Sequence, residues 1–382
     1  MRSCLVWGMG AFLFAFYYGL CTAKKVTVIK HYDIIVIGSG PAGSNFARMV
    51  SRSYKVAVID KSHLANERPK PCGGLLSPDA QNCLARYGLT LPKEILVTPQ
   101  IFAVKTVDFN AGLIRHYQRS YLNMDRQLFD DWLRSLVPDT VDKINGRCVK
   151  ISGKLGGFTV TYKTPDGEQS ATAKYIVGAD GAGSLVRRTF FPNVKIRSYL
   201  ALQRWYSADN IKPFYSCIFD EKTSDCCSWS ISKDGFLIYG GAFAKKNSKD
   251  SFEAQLISAK ENGFTFDDEI KSEACLVYRP KRTKEIICGK DGVLLLGEAG
   301  GFISPSSLEG ISWALRCGEY AACAFNSGKD PEQMYKRKTQ GLKLKLWLKM
   351  LKCPFMYNPL LRRTVMKLGI NAIKINTTDE RN

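Results

Sequence analysis

Histidine is nearly absent, with three in a chain of 382 residues. There is no histidine pair, no Ser-His-Asp set and no paired carboxylate motif of the kind that serves hydrolysis by acid–base or nucleophilic catalysis. Cysteine is not scarce, at thirteen, but no C-x-x-C pair occurs and Cys226 and Cys227 are adjacent. With so few histidines this pattern argues against a zinc site or an iron–sulfur cluster, and no metal is expected. Disulfide frameworks belong to small secreted domains, so cysteines scattered along a chain this long read as mostly buried thiols. Low-complexity tracts and internal repeats are also missing, which sets aside disordered and solenoid architectures.

Acidic residues are the other shortage. Asp and Glu number 35 against 55 Lys and Arg, a formal charge of +20, and a field of that sign attracts nucleic acid, anionic lipid or acidic metabolites. The deficit is concentrated in KRKTQGLKLKLWLKMLKCPFMYNPLLRRTVMKLGINAIK, Lys336 to Lys374, which has no acidic residue at all. At helical spacing Lys345, Lys349 and Lys352 share one side and Leu344, Trp347, Leu348 and Leu351 the other, with Lys343 intruding on the apolar arc. Such a helix suits an anionic bilayer surface, or it packs its leucines on the body with the lysines solvated. Nucleic acid is the weaker reading, and none is expected as a partner. Pro354 and Pro359 are expected to break the run into two short helices.

What remains is ordinary for a folded enzyme, with 45% hydrophobic and 24% charged residues. The length allows two or three domains or one large interleaved α/β unit. Cys4 to Ala23 form a nearly uncharged apolar run that reads as a signal peptide, a membrane anchor or an upstream stretch included by a misplaced start. Lys24, Lys25 and Lys30 follow the run while only Arg2 precedes it. That bias favours a cytoplasmic body, and the basic C-terminal helix makes a peripheral position on the inner face of the membrane the expectation.

HYDIIVIGSGPAGSNFARMVSRSYKVAVIDKSH, His31 to His63, reads as an apolar strand, a glycine turn, a helix and a second strand ending in an acid. In such a unit Gly38 makes the turn, Gly40 lets the backbone approach a pyrophosphate, and Gly43 lets the helix pack on the strand. The helix opened by Pro41 and Ala42 then presents free N–H groups and a positive dipole end to phosphates. Asp60, followed by Lys61, sits where a carboxylate accepts from a ribose hydroxyl. The unit alone does not separate FAD from NAD.

KYIVGADGAGSLVRR, Lys174 to Arg188, is another strand, running into Asp180-Gly181. GVLLLGEAGGFISPSSLEGISWAL, Gly292 to Leu315, is a strand that delivers Gly297-Glu298 to a second glycine turn continuing through Gly301 and Pro305. A helix start near Glu309, Gly310 and Ile311 follows. Two separated backbone cradles suit one long cofactor with phosphates at one end and a redox ring at the other, which favours FAD. A helix N-terminus beside such a ring stabilises the negative charge that appears on two-electron reduction. LNMDRQLFDDWLRSL, Leu122 to Leu136, reads as an amphipathic helix with Leu128, Trp132 and Leu136 on one side and Arg126 near its start.

Together with KPCGGLLSPDA, PFYSCIFD and SWSISKDGFLIYGGA, these motifs resemble the geranylgeranyl-reductase-like flavoproteins, and most closely the CbrA family. The resemblance covers about residues 31 to 376. It implies an α/β fold: a glutathione-reductase-type, Rossmann-like FAD domain (31–95, 121–195 and 278–330) with an inserted antiparallel β substrate domain (96–120 and 196–277). An apolar leader (1–30) and a basic helical segment (331–382) flank them. It implies an FAD-dependent oxidoreductase acting on an apolar or lipid substrate of isoprenoid type, with hydride passing from the reduced flavin to a double bond. The reductant is open between NADPH and a ferredoxin-type donor protein. Flavin monooxygenase or halogenase chemistry is the alternative enzyme reading, and a flavin-bound lipid carrier or sensor the non-enzymatic one.

By the same resemblance Lys70, Cys72 and Gly73 belong to the segment that passes the flavin ring. Cys72 is the candidate catalytic residue, a polarizable thiol beside two glycines, although a buried inert cysteine is the commoner fate of this residue type. The segment from Ile196 to Val277 reads as alternating strands rich in aromatics, with Tyr215 and Trp229 as candidate substrate-wall residues. Two positions depart from the family pattern. The usual Gly-Asp is Gly297-Glu298, and the usual Thr-Gly-Glu-Gly is Ser307-Leu308-Glu309-Gly310, which places Leu308 where backbone would line the substrate pocket.

Overall fold

The structure is a computed structural model that describes residues 29–65, 67–208 and 213–375. The apolar leader therefore lies outside the described residues up to position 28. The first strand, Lys30–Ile37, carries Ile34, Ile35 and Val36 at 0% exposure, as its unbroken apolar run requires of a strand covered on both faces. It pairs in parallel with Val56–Asp60 on one side and Gly167–Gly178 on the other, and Asp142–Asn145 and Val293–Leu295 extend the parallel order outward. Arg147–Lys154 and Gly157–Thr164 form an antiparallel meander leading into Gly167–Gly178. Helices Pro41–Met49 and Ile311–Asn326 pack together beside this sheet. A second core cluster, with Ile35, Ile59 and Phe158, lies apart from theirs.

Among the described residues the second sheet has eight strands and is antiparallel except where Phe214–Phe219 runs parallel to Ile101–Asp108. It takes Leu75–Leu76 and Leu113–Asn123 from the first half of the chain and Ser198–Ser207, Ser228–Lys233, Phe236–Ala244 and Glu269–Tyr278 from the second. The reading of 196–277 as strands alone is corrected by helix Ser248–Glu261. Phe252, Leu256 and Ala259, at i, i+4 and i+7, are buried on Tyr239 and Phe243, which places those two aromatics in core and not in a cavity wall.

The amphipathic helix read over Leu122 to Leu136 is shorter than expected. Leu113–Asn123 is strand, Asp125 caps the helix by accepting from Leu128 N at 2.9 Å, and the helix spans Arg126–Ser135. Its buried row is Phe129 and Leu133, and Leu128 is 46% exposed, so the apolar arc is centred one residue later than the Leu128–Trp132–Leu136 row.

At the C-terminus the helices are Pro331–Lys338, Gln340–Tyr357 and Pro359–Leu368. Pro354 does not break its helix. It lies in the last turn, where only one intrahelical bond is lost, and the chain breaks at Asn358-Pro359 instead. Leu342 and Leu346 make the buried face of Gln340–Tyr357, while Leu344, Trp347, Leu348 and Leu351 point away from the body at 44–58% exposure. The last helix is tied to the second sheet by the buried pair Arg362 Nε–Asp108 Oδ2 at 2.8 Å and by Arg115 Nε donating to Met366 O at 2.7 Å.

Candidate functional site

A continuous cavity of about 1700 Å³ is lined by both sheets, by the start of helix Ile311–Asn326 and by the C-terminal helices. Pockets for one drug-sized ligand run to roughly 1,000 Å³, so this one has room for a large cofactor and a second molecule. Gly40 and Gly310 share it.

The three glycines of the first turn have different physical jobs. Gly38 has φ +97°, and a Cβ there would lie 2.7 Å from Ala179 O, while a Cβ on Gly43 would strike the Gly38 carbonyl. Both are demanded by the protein's own packing. A Cβ on Gly40 meets nothing within 4 Å, its backbone is ordinary extended chain, and it faces the cavity. Space kept open there fits close approach by a ligand backbone such as a pyrophosphate. Pro41 and Ala42 also line the cavity.

Asp60 ends the second strand at the cavity wall. Its Oδ2 accepts from Ser39 N at 2.7 Å and its Oδ1 from Ser62 N at 2.8 Å. Burial alone would raise its pKa, but the bonds from Ser62 and Ser39 outweigh this and lower it. Lys61 lines the cavity and pairs with Glu67 at 2.6 Å. Asp180 Oδ2 accepts from Leu185 N and Val186 N at 2.7 and 3.2 Å, while its buried Oδ1 has no partner among the described residues. Burial pushes this carboxyl up, and an orphaned acceptor at the wall beside Gly181 fits a ligand hydroxyl.

The second glycine turn coils tightly over Gly297–Gly300, with Gly297 at φ +54° and Gly301 at φ +84°. Gly297, Gly301 and Pro305, like Gly43, stand behind the cavity wall and shape it, whereas Glu298, Leu308, Glu309, Gly310 and Ile311 line it. Arg187, 3% exposed, donates to Ala299 O, Val194 O and Glu285 O and clamps the turn from behind. Arg188 also lines the cavity. Helix Ile311–Asn326 begins at the wall, so the positive end of its dipole lies there. Glu309 Oε1 and Oε2 accept from Ser312 N and Oγ at 2.8 Å each, and burial pushes its carboxyl up despite these bonds.

The segment Lys70–Gly74 crosses between the sheets. Lys70 Nζ lies 2.6 Å from Glu298 Oε2, and Glu298 Oε1 accepts from Tyr278 N at 2.9 Å. Burial opposes the Lys70 charge, but Glu298 raises its pKa overall. Arg126 pairs through Nε with Asp130 at 2.8 Å and also faces Cys72; these partners outweigh burial and raise its pKa. Cys72, beside Gly73, lines the cavity and accepts from Gly74 N at 3.4 Å.

Sequence reasoning missed Lys233. It is 4% exposed, and its Nζ donates to Asn123 Oδ1 and Met124 O at 2.7 Å each and to Gly74 O at 3.4 Å. It thereby fixes the end of the Lys70–Gly74 segment, and burial drives its pKa down to about 8. A lysine before an Asp-Gly hairpin reads as a surface residue, so nothing in the sequence marks it.

Tyr215 and Trp229 both line the cavity, as does Leu308, which holds a left-handed backbone at φ +55°. Tyr215 packs edge-on against Tyr121 at 5.9 Å, and the buried Trp229 Nε1 has no partner among the described residues. A branched residue kept in that backbone region is a cost that functional sites tolerate. Among the described residues no cluster that could hold a metal occurs.

This combination of a parallel sheet with a glycine cradle, a second cradle on a later strand and an antiparallel cover sheet is a fold shared with flavin-dependent proteins of known structure. Solved structures share the fold. The geranylgeranyl bacteriochlorophyll reductase-like protein of Thermoplasma acidophilum superposes with a TM-score of 0.73 at 18% identity, covering 92% of this chain and 94% of that one. The flavin-dependent brominase Bmp2 gives 0.63 at 21% identity over 89% and 93%. PqsL of Pseudomonas aeruginosa, a probable FAD-dependent monooxygenase, gives 0.66 at 15% identity over 90% and 100%. No family model matches. Protein CbrA of Escherichia coli O6:H1 is 45% identical over 351 residues, covering 90% of this chain and 95% of that protein. CbrA of Escherichia coli K12 is 44% identical over 351 residues, covering 90% and 99%. The chain belongs to the CbrA family.

Proposed function

We propose that the protein binds FAD across the two cradles and is an oxidoreductase acting on an apolar substrate of isoprenoid type. The observation that carries this reading is that Gly40, Asp60, Glu298 and Gly310 open onto one cavity that continues past Tyr215 and Trp229. FAD, when bound, supplies two-electron chemistry. The chain's own part is to bind and orient. The open face at Gly40 and the N-terminus of Pro41–Met49 receive the phosphates, Asp60 and Asp180 accept from sugar hydroxyls, and helix Ile311–Asn326 favours negative charge at the ring end. Lys70, held by Glu298, keeps the Lys70–Gly74 segment against the wall. Tyr215, Trp229 and Leu308 exclude water around an apolar chain. Glu309, with its carboxyl pushed up by burial, can hold a proton at the cavity wall.

The outward apolar stripe from Leu344 to Leu351, flanked by lysines, supports a peripheral position on an anionic membrane, from which such a substrate would come. Among the described residues no helix is long and apolar enough to cross a membrane.

Monooxygenase or halogenase chemistry is the second reading, favoured by the fold shared with Bmp2 and PqsL. Anaerobic mixing of the chemically reduced, FAD-loaded protein with a prenyl lipid separates the two. Return of the oxidised flavin spectrum with a product heavier by two hydrogens supports the reductase. Turnover that requires oxygen and adds oxygen or halogen to the product supports the alternative.

A further inference from the structure

We propose that Cys217 and Cys227 form a peroxide-reactive dithiol in the wall of the cavity, where hydrogen peroxide oxidises Cys227 and Cys217 then closes a disulfide on it. The inference rests on the cavity wall and not on the apolar-substrate reading above.

Both cysteines are free and both line the cavity. Cys217 lies opposite Trp229 where Phe214–Phe219 pairs with Ser228–Lys233, and Cys227 precedes Trp229 by two residues. Alternation along a strand therefore turns all three to one face. The Cys217 and Cys227 thiols hydrogen-bond to each other, and Cys226 bonds to Cys227 as well. Cys226 and Cys353 belong to the same group of sulfurs but are not among the residues lining the cavity, and Cys353 donates to Lys349 O at 3.3 Å. Cys217 and Cys227 alone combine mutual reach with access.

A buried cation stands behind the pair. Arg279 is 6% exposed, packs over the Tyr357 ring at 4.0 Å, and donates to Pro305 O and Asp225 O at 2.9 and 2.8 Å. Among the described residues no carboxylate forms an ion pair with it, and the Asp225 side chain takes Arg197 at 2.8 Å. Burial opposes the guanidinium charge, and the groups that outweigh burial are Cys226, Tyr357 and Tyr199. A desolvated cation of this kind favours a thiolate beside it. Bonds from Cys217 and then Cys226, helped by Arg279, hold Cys227 well below the ordinary thiol range, and the bonds to Cys227 push the other two up. One sulfur ionises while its neighbours keep their protons, which divides an attacking thiol from a resolving one.

Cys227 is 2% exposed, so only a small oxidant that has entered the cavity reaches it. The thiolate attacks one peroxide oxygen, the O–O bond breaks, and the departing hydroxide takes up a proton, leaving a sulfenic acid on Cys227. The Cys217 sulfur then attacks that sulfur and gives up its proton. An S–S bond forms, the S–O bond breaks, and the oxygen leaves as water. Two thiols are oxidised and one peroxide is reduced to two waters.

Treatment of the full-length protein, as purified, with hydrogen peroxide tests the assignment by intact mass and peptide mapping. Wild type is expected to lose about 2 Da, the two thiol hydrogens, with the bond mapped to Cys217 and Cys227. Cys323 is free and more exposed, so access alone would favour it, yet the pair should oxidise at least about tenfold faster. C217S should instead accumulate a sulfenic acid at Cys227 that dimedone captures, C227S should yield no capture at Cys217, and C226S should still form the bond. A bond that uses Cys226 or Cys353, oxidation no faster than at Cys323, or thiols left intact by excess peroxide each overturns the site. Mapping in wild type decides this even where a serine variant fails to fold.

Discussion

Lys70 Nζ and Glu298 Oε2 lie 2.6 Å apart although the residues are 228 positions distant in the chain. The pair joins the segment that crosses between the sheets to the second glycine turn, and both residues face the cavity. Glu298 is 9% exposed, so its carboxylate depends on Lys70 and on Tyr278 N for compensation. Removing one partner of such a pair strands the other charge. Lys70→Met is expected to weaken FAD binding about tenfold, roughly 1.4 kcal/mol, measured by flavin titration of apoprotein. Glu298→Gln, which keeps a hydrogen-bonding side chain and removes the stranded charge, should restore part of the loss in the double variant.

Gly40 and Gly43 should separate binding from folding. Gly40→Val places its side chain in open cavity, so stability should change by no more than about 0.5 kcal/mol. FAD affinity should fall at least about 100-fold, or roughly 2.7 kcal/mol. Gly43→Val drives a side chain into the Gly38 carbonyl and should cost about 3 kcal/mol of stability or more. Denaturant unfolding and flavin titration of both variants check the contrast.

Lys233 predicts a pH dependence. Its pKa is about 8 in the folded protein against the ordinary 10.5, so between those values the unfolded chain binds more protons and stability rises with pH. The penalty for burying this amine is therefore full below about pH 8 and vanishes as pH approaches 10.5. Compared with Lys233→Met, the wild-type unfolding free energy should gain about 3 kcal/mol between pH 7.5 and 10.5. Denaturation midpoints of the pair across that range measure it.

The outward face of helix Gln340–Tyr357 predicts membrane binding. Protein should float with vesicles containing anionic lipid and be released progressively by salt. Leu348→Glu with Leu351→Glu should weaken binding at least about tenfold, since each leucine brings up to roughly 2 kcal/mol of apolar burial. Flavin content should not change.

Much of this was legible in the sequence because backbone requirements leave marks. The unbroken apolar run at Ile34–Ile37 and the glycines at 38 and 43 announce a buried parallel strand and a tight turn, since few other residues fit there. Pairings that depend on the third dimension leave no such mark. Lys233 looks like a hairpin lysine until Asn123 and Met124 close over it. Leu128 reads as core by period and Leu348 as facing either the body or a bilayer, and only the docking geometry of their helices shows that Phe129, Leu342 and Leu346 take the buried places. Helix Ser248–Glu261 was hidden by the strands around it, because its apolar residues are few. Pro354 shows the converse error, a strong local signal without effect where the helix was about to end.

The central claim is that one cavity holds one FAD across two cradles. The direct measurement is the visible spectrum of the purified protein together with the mass of the cofactor released on denaturation. The account predicts a yellow protein that releases FAD, close to one per chain, and a Gly40→Val variant that is folded and colourless. A well-folded wild-type protein that is colourless and takes up no FAD when it is supplied would contradict it.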